Sequence, residues 1–169
     1  TMTNSASGAY TLAGGAGVDI ITGGTDNDII TGAGGNDVLR GGTGNDSITG
    51  GADNDTLTGD AGNDTFNVDA GSDTITDLAT NDDLVVSSGA TATANNVSAF
   101  VADSDTTNAG TATINAASGG STITMTNSAS GAYTLAGGAG VDIITGGTGN
   151  DIITGCLLYT SDAADDGIR

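Results

Sequence analysis

The chain is predicted to fold as an all-β solenoid, a stack of short strands wound in 18-residue coils, with a β-rich spacer after it. Three observations predict it. From Gly14 to Thr76 the sequence says nearly the same nine residues seven times. Each copy opens on turn-forming Gly, Asn and Asp and closes on three residues that favour strands. Helix formers are scarce: Gly numbers 30, all 21 acidic residues are Asp, and Glu, Lys and Pro are absent,.

The elements follow in order. Residues 1–13 are expected to form an opening cap. Within them Ser5–Ala13, SASGAYTLA, keeps Gly8 and Leu12 of the repeat but has Tyr10 where later copies have an acid. The chain starts mid-pattern at Thr1, so it reads as a fragment. Residues 14–85 are the array itself. Its clear copies are GGAGVDIIT, GGTDNDIIT, GAGGNDVLR, GGTGNDSIT, GGADNDTLT, GDAGNDTFN and VDAGSDTIT. Asp19, Asp28, Asp37, Asp46, Asp55, Asp64 and Asp73 stand sixth. Ile21, Ile30, Leu39, Ile48, Leu57, Phe66 and Ile75 stand eighth.

Gly permits a positive φ without steric penalty, and Asp tolerates it better than most residues, so Asp26 and Asp53 can replace the fourth-place Gly. Ala33, Asp60, Val68 and Asp69 depart from the opening double Gly and make their turns less regular. Side chains alternate across a strand, so the eighth residue faces inward and the seventh and ninth face outward. Two copies make one coil. Odd copies then stack on one side and even copies on the other, about 4.8 Å apart. Asp19, Asp37, Asp55 and Asp73 form one column, and Asp28, Asp46, Asp64 and Asp82 the other. Asp82 belongs to Asp77–Val85, DLATNDDLV, which keeps the frame but has lost every Gly and reads as a terminating turn.

Residues 86–123 form the spacer, rich in Ala, Thr, Ser and Asn. Thr111–Ile114 and Ser121–Met125 alternate as strands do, and Asn96–Ala102 reads either as strand or as a short helix. The spacer is expected to continue or cap the stack. Residues 124–155 then repeat 1–32 with one difference, Asp26 against Gly149, and restart the array with Asp142 and Asp151. Recent tandem duplication explains this, with a sequence-assembly error as the alternative. Cys156–Arg169 breaks the frame, and CLLYTSDAADD resembles a translated sequencing adapter. Residues 156–169 are expected to be a non-native tail, with a genuine divergent C-terminus as the alternative.

A formal net charge of −19, with only Arg40 and Arg169 basic, excludes a nucleic-acid surface and disfavours an anionic membrane,. No apolar run is long enough to cross a membrane as a helix. With no His, Lys or Glu, and with the Asp residues accounted for by the repeat, catalysis is not expected,. Cations are. Carboxylates roughly 4–5 Å apart repel by up to about 4 kcal/mol per pair at an effective dielectric near 20. One apolar residue in nine makes too thin a core to overcome that as well as chain entropy. The donors on offer are carboxylates and turn carbonyls, hard oxygens that suit Ca²⁺ over Zn²⁺, Cu²⁺ or Mg²⁺.

The copies match GGxGxDxUx and resemble the repeats-in-toxin (RTX) nonapeptide over Gly14–Val85 and Gly137–Gly155. The resemblance implies a parallel β-roll with several Ca²⁺ ions, about five or six of them in the first array. Each ion would lie between turns stacked on the same side, held by sixth-place Asp and turn carbonyls. Carried over, the ligands are Asp19, Asp28, Asp37, Asp46, Asp55, Asp64, Asp73, Asp82, Asp142 and Asp151. It also implies export in one step, with folding outside the cell where Ca²⁺ is abundant. The duplication favours a Ca²⁺-dependent structural module of a large secreted or cell-surface bacterial protein of adhesin or surface-layer type. Its expected partners are calcium, neighbouring modules and cell-surface polysaccharide. The alternative is the non-catalytic C-terminal roll of a secreted toxin, protease, lipase or polysaccharide-modifying enzyme. Ninth-place Thr follows from strand propensity on an outward face, although flat Thr rows also bind ice. Tyr10 and Tyr133 are read as caps.

Overall fold

The computed structural model describes residues 2–3, 7–126 and 131–155, so Cys156–Arg169 and part of the opening cap lie outside the described residues. Among the described residues there is no helix. In chain order the strands are β1 (Met2–Thr3), β2 (Thr11–Ala16), β3 (Ile20–Thr25), β4 (Ile29–Gly34), β5 (Val38–Thr43), β6 (Ser47–Ala52), β7 (Thr56–Ala61), β8 (Thr65–Val68) and β9 (Ser72–Ile75). They continue as β10 (Asp83–Val86), β11 (Thr91–Val97), β12 (Ala99–Val101), β13 (Thr107–Asn108), β14 (Thr111–Ala116), β15 (Thr122–Thr124), β16 (Tyr133–Ala136), β17 (Ile143–Thr145) and β18 (Ile152–Thr154).

Consecutive array strands alternate between two sheets. One runs β1-β3-β5-β7-β9-β11-β14-β16-β18 and the other β13-β10-β8-β6-β4-β2, while β12, β15 and β17 make a third. Every ladder is parallel, and within the array Ile21 pairs with Leu39, Leu39 with Leu57, and Ile30 with Ile48. This is a β-solenoid of 18-residue coils. The strands are longer than the three residues expected. β3 to β7 run six residues, because the ladder continues through the double Gly: Gly24 pairs with Gly42 and Gly42 with Asp60.

The eighth-place residues are the core. Ile21, Ile30, Leu39, Ile48, Leu57, Phe66 and Ile75 all have no exposed surface. Seventh-place residues face out, and Ile29 is 54% exposed. Asp26 and Asp53 sit at φ 71° and 77°, which confirms why an acid replaces Gly there,. Ala33 is held at φ 86°, a strained value for a residue with a Cβ,. Arg40 reaches across the outer face, and its Nε and Nη2 donate to the two carboxylate oxygens of Asp60.

Asp77–Val85 does not end the stack, contrary to expectation. β10 pairs with β8 on one side and β13 on the other. The coils only lengthen. Ile75 pairs with Ala94, Ala94 with Ile114 and Ile114 with Leu135, steps of 19, 20 and 21 residues. Leu135 then pairs with Ile153, back at 18. The spacer therefore continues the same core, using Ala92, Ala94, Ala112 and the ring of Phe100, all buried, and the buried ring of Tyr133 follows in the duplicated segment. Asn96–Ala102 is strand rather than helix, divided between β11 and β12.

The duplicated segment lands on the opposite side of the solenoid. Leu12 lies in the six-stranded sheet, while its counterpart Leu135 lies in the nine-stranded one. From Ile21 to Leu135 the column counts six coils, and the half coil between Leu12 and Ile21 supplies the change of side. The register also differs. Met2 pairs with Ile21, whereas Ile123, not Met125, pairs with Ile144. A slip of two residues keeps every side chain on its face, so the hydrophobic pattern permits it.

Candidate metal centre

Each sixth-place Asp sits where a turn enters a strand, and both of its oxygens are placed by that position. Its backbone N–H donates to Oδ1 of the Asp one coil later. In one column these bonds run Asp19 to Asp37 (2.8 Å), Asp37 to Asp55 (2.7 Å) and Asp55 to Asp73 (3.0 Å). In the other they run Asp28 to Asp46 (2.7 Å), Asp46 to Asp64 (2.8 Å) and Asp64 to Asp82 (2.9 Å). The structure thus assembles two columns with the expected membership, and six gaps between consecutive aspartates.

The second oxygen is a different matter. Asp28, Asp37, Asp46, Asp55 and Asp73 are nearly fully buried, and Oδ2 of each has no hydrogen-bond partner. A buried carboxylate oxygen without a donor or cation is costly. The first-place glycines face these atoms. A Cβ on Gly23 would run into Asp28 Oδ2 and the Gly41 carbonyl oxygen, and one on Gly41 into Asp46 Oδ2 and the Gly59 oxygen. At Gly50 a Cβ would lie 2.6 Å from Asp55 Oδ2 and 2.7 Å from Asp73 Oδ2. Asp73 has Val68, not Gly, at the start of its own turn, and its oxygen lies over Gly50 instead. Two buried, unpartnered carboxylate oxygens thus converge on one small cradle. The donors are all hard oxygens, so the residues fit a Ca²⁺ ion better than any softer metal.

The remaining predicted ligands are placed otherwise. Asp19 Oδ2 accepts the Gly15 N–H (3.0 Å) and Asp82 Oδ2 the Ala79 N–H (2.8 Å). Asp142 Oδ1 takes the N–H of Ser121 (2.8 Å), and Asp151 Oδ1 that of Tyr133 (2.9 Å). Neither is brought against another sixth-place Asp among the described residues. The column of the nine-stranded sheet reads Asp73, Ala92, Ala112, Tyr133 and then Asp151. Tyr133 itself is buried, filling the core as the array restarts.

Burial pushes the carboxyls of Asp46, Asp55, Asp64, Asp73 and Asp82 up, and the neighbouring carboxylate in the column adds to it, against the lowering effect of the backbone N–H. Asp73 is raised to about 7, and Asp64 and Asp82 to about 6. Asp46 and Asp55 move in the same direction. A group raised in the folded state binds more protons there than in the unfolded chain. Its contribution to stability is full below pH ~4 and is lost as pH rises through the folded value. Metal-free protein should therefore melt highest near pH 4 and progressively lower through pH 6 to 7.5. Thermal circular dichroism in metal-free buffers checks this, and a metal-free melt that rises with pH contradicts it.

Sequence reasoning missed the fifth-place asparagines, although the signal was visible in Asn27, Asn36, Asn45, Asn54 and Asn63. Oδ1 of Asn27, Asn36, Asn45 and Asn54 accepts a backbone N–H group from the next coil. It also missed Asp77, whose carboxylate accepts the N–H groups of Gly59 (3.0 Å) and Asp60 (2.7 Å) where the chain leaves the regular ladder. Asp83, Asp103 and Asp105 bring carboxylate oxygens within 4.8 Å of one another outside the columns. Only the fold unites these three, since their spacing has no period.

The sequence model of the family described as RTX calcium-binding nonapeptide repeat (4 copies) matches residues 11–39, 31–66, 40–75, 58–90 and 131–155. No curated relative and no solved structure matches the chain.

Proposed function

Because the chain belongs to the family of RTX calcium-binding nonapeptide repeats, whose repeats bind Ca²⁺ and build a structural β-roll, we propose that its sixth-place aspartates hold Ca²⁺ between successive coils. The observation that carries this is the convergence of the buried, unpartnered Asp55 Oδ2 and Asp73 Oδ2 over Gly50. Asp19, Asp28, Asp37, Asp46, Asp55, Asp64, Asp73 and Asp82 would serve the six gaps of the first array. Asp142 and Asp151 would each supply half of a gap, completed by a further coil. Calorimetric titration of metal-free protein should find about six ions in the first array. A stoichiometry of one or two would contradict the columnar reading.

The role we assign is a Ca²⁺-hardened module of a large secreted or cell-surface bacterial protein, of adhesin or surface-layer type. Two observations support it. A 32-residue segment recurs with one substitution, and one nine-stranded parallel sheet holds strands of both copies. Such a rod separates what it joins, and its neighbours in the chain or at the cell surface are its partners. The complete reading frame tests this. Further units at the same 123-residue offset support it, and a catalytic domain followed by a single array contradicts it.

A further inference from the structure

The geometry points to the fifth-place asparagines as positioning residues of the calcium gaps, an inference that rests on the proposed reading of the aspartate columns. The Asn45 N–H donates to Asn27 Oδ1 (2.8 Å), and the Asn63 N–H donates to Asn45 Oδ1 (3.0 Å). On the other side the Asn54 N–H donates to Asn36 Oδ1 (3.0 Å), and the Ser72 N–H donates to Asn54 Oδ1 (2.8 Å). These bonds run from a coil back to the one before it. The aspartate bonds run the opposite way: the Asp46 N–H donates forward to Asp64 Oδ1 (2.8 Å). Two consecutive residues of each turn are thus tied to the two neighbouring coils in opposite senses.

The opposed ladders have a consequence for the gap between them. The backbone ladder through the double Gly holds one end of the turn, and the aspartate carbonyl and Oδ1 hold the other. The asparagine bond ties the fifth-place residue between them, immediately beside the aspartate whose Oδ2 faces the gap. It uses only an acceptor oxygen and brings no charge to the edge of an already anionic column, as an amide side chain does. The fourth-place acids add two shorter runs, with Asp26 Oδ2 accepting the Gly8 N–H (2.8 Å) and Asp53 Oδ2 the Gly35 N–H (3.2 Å).

The ladder stops at a residue that cannot serve. Val18 holds the fifth place one coil before Asn36, is 73% exposed, and offers no acceptor to the Asn36 N–H. The gap between Asp19 and Asp37 therefore has the aspartate side-chain bond without an asparagine one beside it, whereas the Asp37–Asp55, Asp55–Asp73, Asp28–Asp46 and Asp46–Asp64 gaps have both.

Full-length protein loaded with Tb³⁺ tests the inference, because the luminescence lifetime in water against deuterium oxide counts the waters on the ion. Asn45→Leu should add water at the Asp46–Asp64 gap and weaken Ca²⁺ there about fivefold, the loss of the one hydrogen bond that the Asn45 side chain accepts,. Asn45→Asp, which keeps the acceptor, should restore the wild-type lifetime. Val18→Asn should remove water from the Asp19–Asp37 gap and tighten it by a similar factor. Wild-type lifetimes in Asn45→Leu, with only a lower melting temperature, would overturn the inference in favour of a purely structural ladder. Should Asn45→Leu not fold, Val18→Asn decides alone, and no gain there overturns it. Failure of the underlying reading looks different: wild-type protein would then bind no Tb³⁺ in the columns at all.

Discussion

Metal-free protein at pH 7.5 is expected to lose its β-sheet circular dichroism across the first array, and added Ca²⁺ to restore it. Opposing terms decide this. Each coil buries one apolar side chain per nine residues, a thin return for ordering a Gly-rich chain whose unfolded state is entropically favoured. Against it stand five buried Oδ2 atoms with no hydrogen-bond partner, in columns of like charge. At pH 7.5 Asp64 and Asp82, raised to about 6, are mostly ionised, and even Asp73, raised to about 7, carries its charge in more than half the population. Repulsion of up to about 4 kcal/mol per close pair is comparable with a large fraction of a domain's whole stability. Ca²⁺ removes the repulsion and fills the empty acceptor sites together, and binding only to the folded state stabilises it by mass action. Circular dichroism and melting in EGTA against excess Ca²⁺ measure the effect. Equal spectra and equal melting temperatures would show that the core suffices and the columns are decoration.

Gly50→Ala is expected to damage the calcium site and the stability together, while Gly15→Ala is expected to be neutral or slightly stabilising. Neither glycine has a positive φ, so backbone strain does not separate them. Space does. A Cβ on Gly50 enters the cradle 2.6 Å from Asp55 Oδ2 and 2.7 Å from Asp73 Oδ2, where the proposed ion takes its oxygens. A Cβ on Gly15 meets nothing within 4 Å, and its N–H bond to Asp19 survives. Overpacking costs roughly 1–3 kcal/mol. With the ion of that gap displaced as well, Gly50→Ala should lower the Ca²⁺ stoichiometry by at least one and destabilise by about 3 kcal/mol or more. Gly15→Ala should gain up to about 1 kcal/mol from a less flexible unfolded chain. Matched calorimetry and melts of the two variants settle it. Equal behaviour would mean that the first-place glycine serves the turn and not the cradle.

The glycines show how much of the site was legible. The fourth-place Gly was correctly tied to φ, because Asp26 and Asp53 replace it and adopt φ 71° and 77°. The first-place Gly needs no unusual φ. Its reason is the approach of oxygens from its own turn and from the next coil, which no single nonapeptide contains. The asparagine ladder escaped for the same reason, since a fifth-place amide means little until the next coil's N–H is set beside it. In the spacer the coil length drifts from 19 to 21 residues along the nine-stranded sheet. That hides the period from sequence while leaving the ladder whole.

What the sequence determined by itself is everything that repeats locally: parallel coils of two units, the inward eighth residue, the aspartate columns and the preference for a hard cation. These follow from the turn and strand chemistry of nine residues and from a period that brings like onto like. What only the tertiary structure decided is everything that depends on which coil lies next. Residues 1–32 and 124–155 differ at one position, and Asp28 and its duplicate Asp151 accept the same tyrosine N–H from the coil before, Tyr10 and Tyr133. Yet among the described residues only Asp28 has a further aspartate, Asp46, in the coil after. Leu12 and Leu135 lie in different sheets, and the strands docked on Ile21 and Ile144 differ by two residues of register. A coil cannot bury its face or complete its gap alone. Its sequence fixes what it presents, and its neighbour fixes what that becomes.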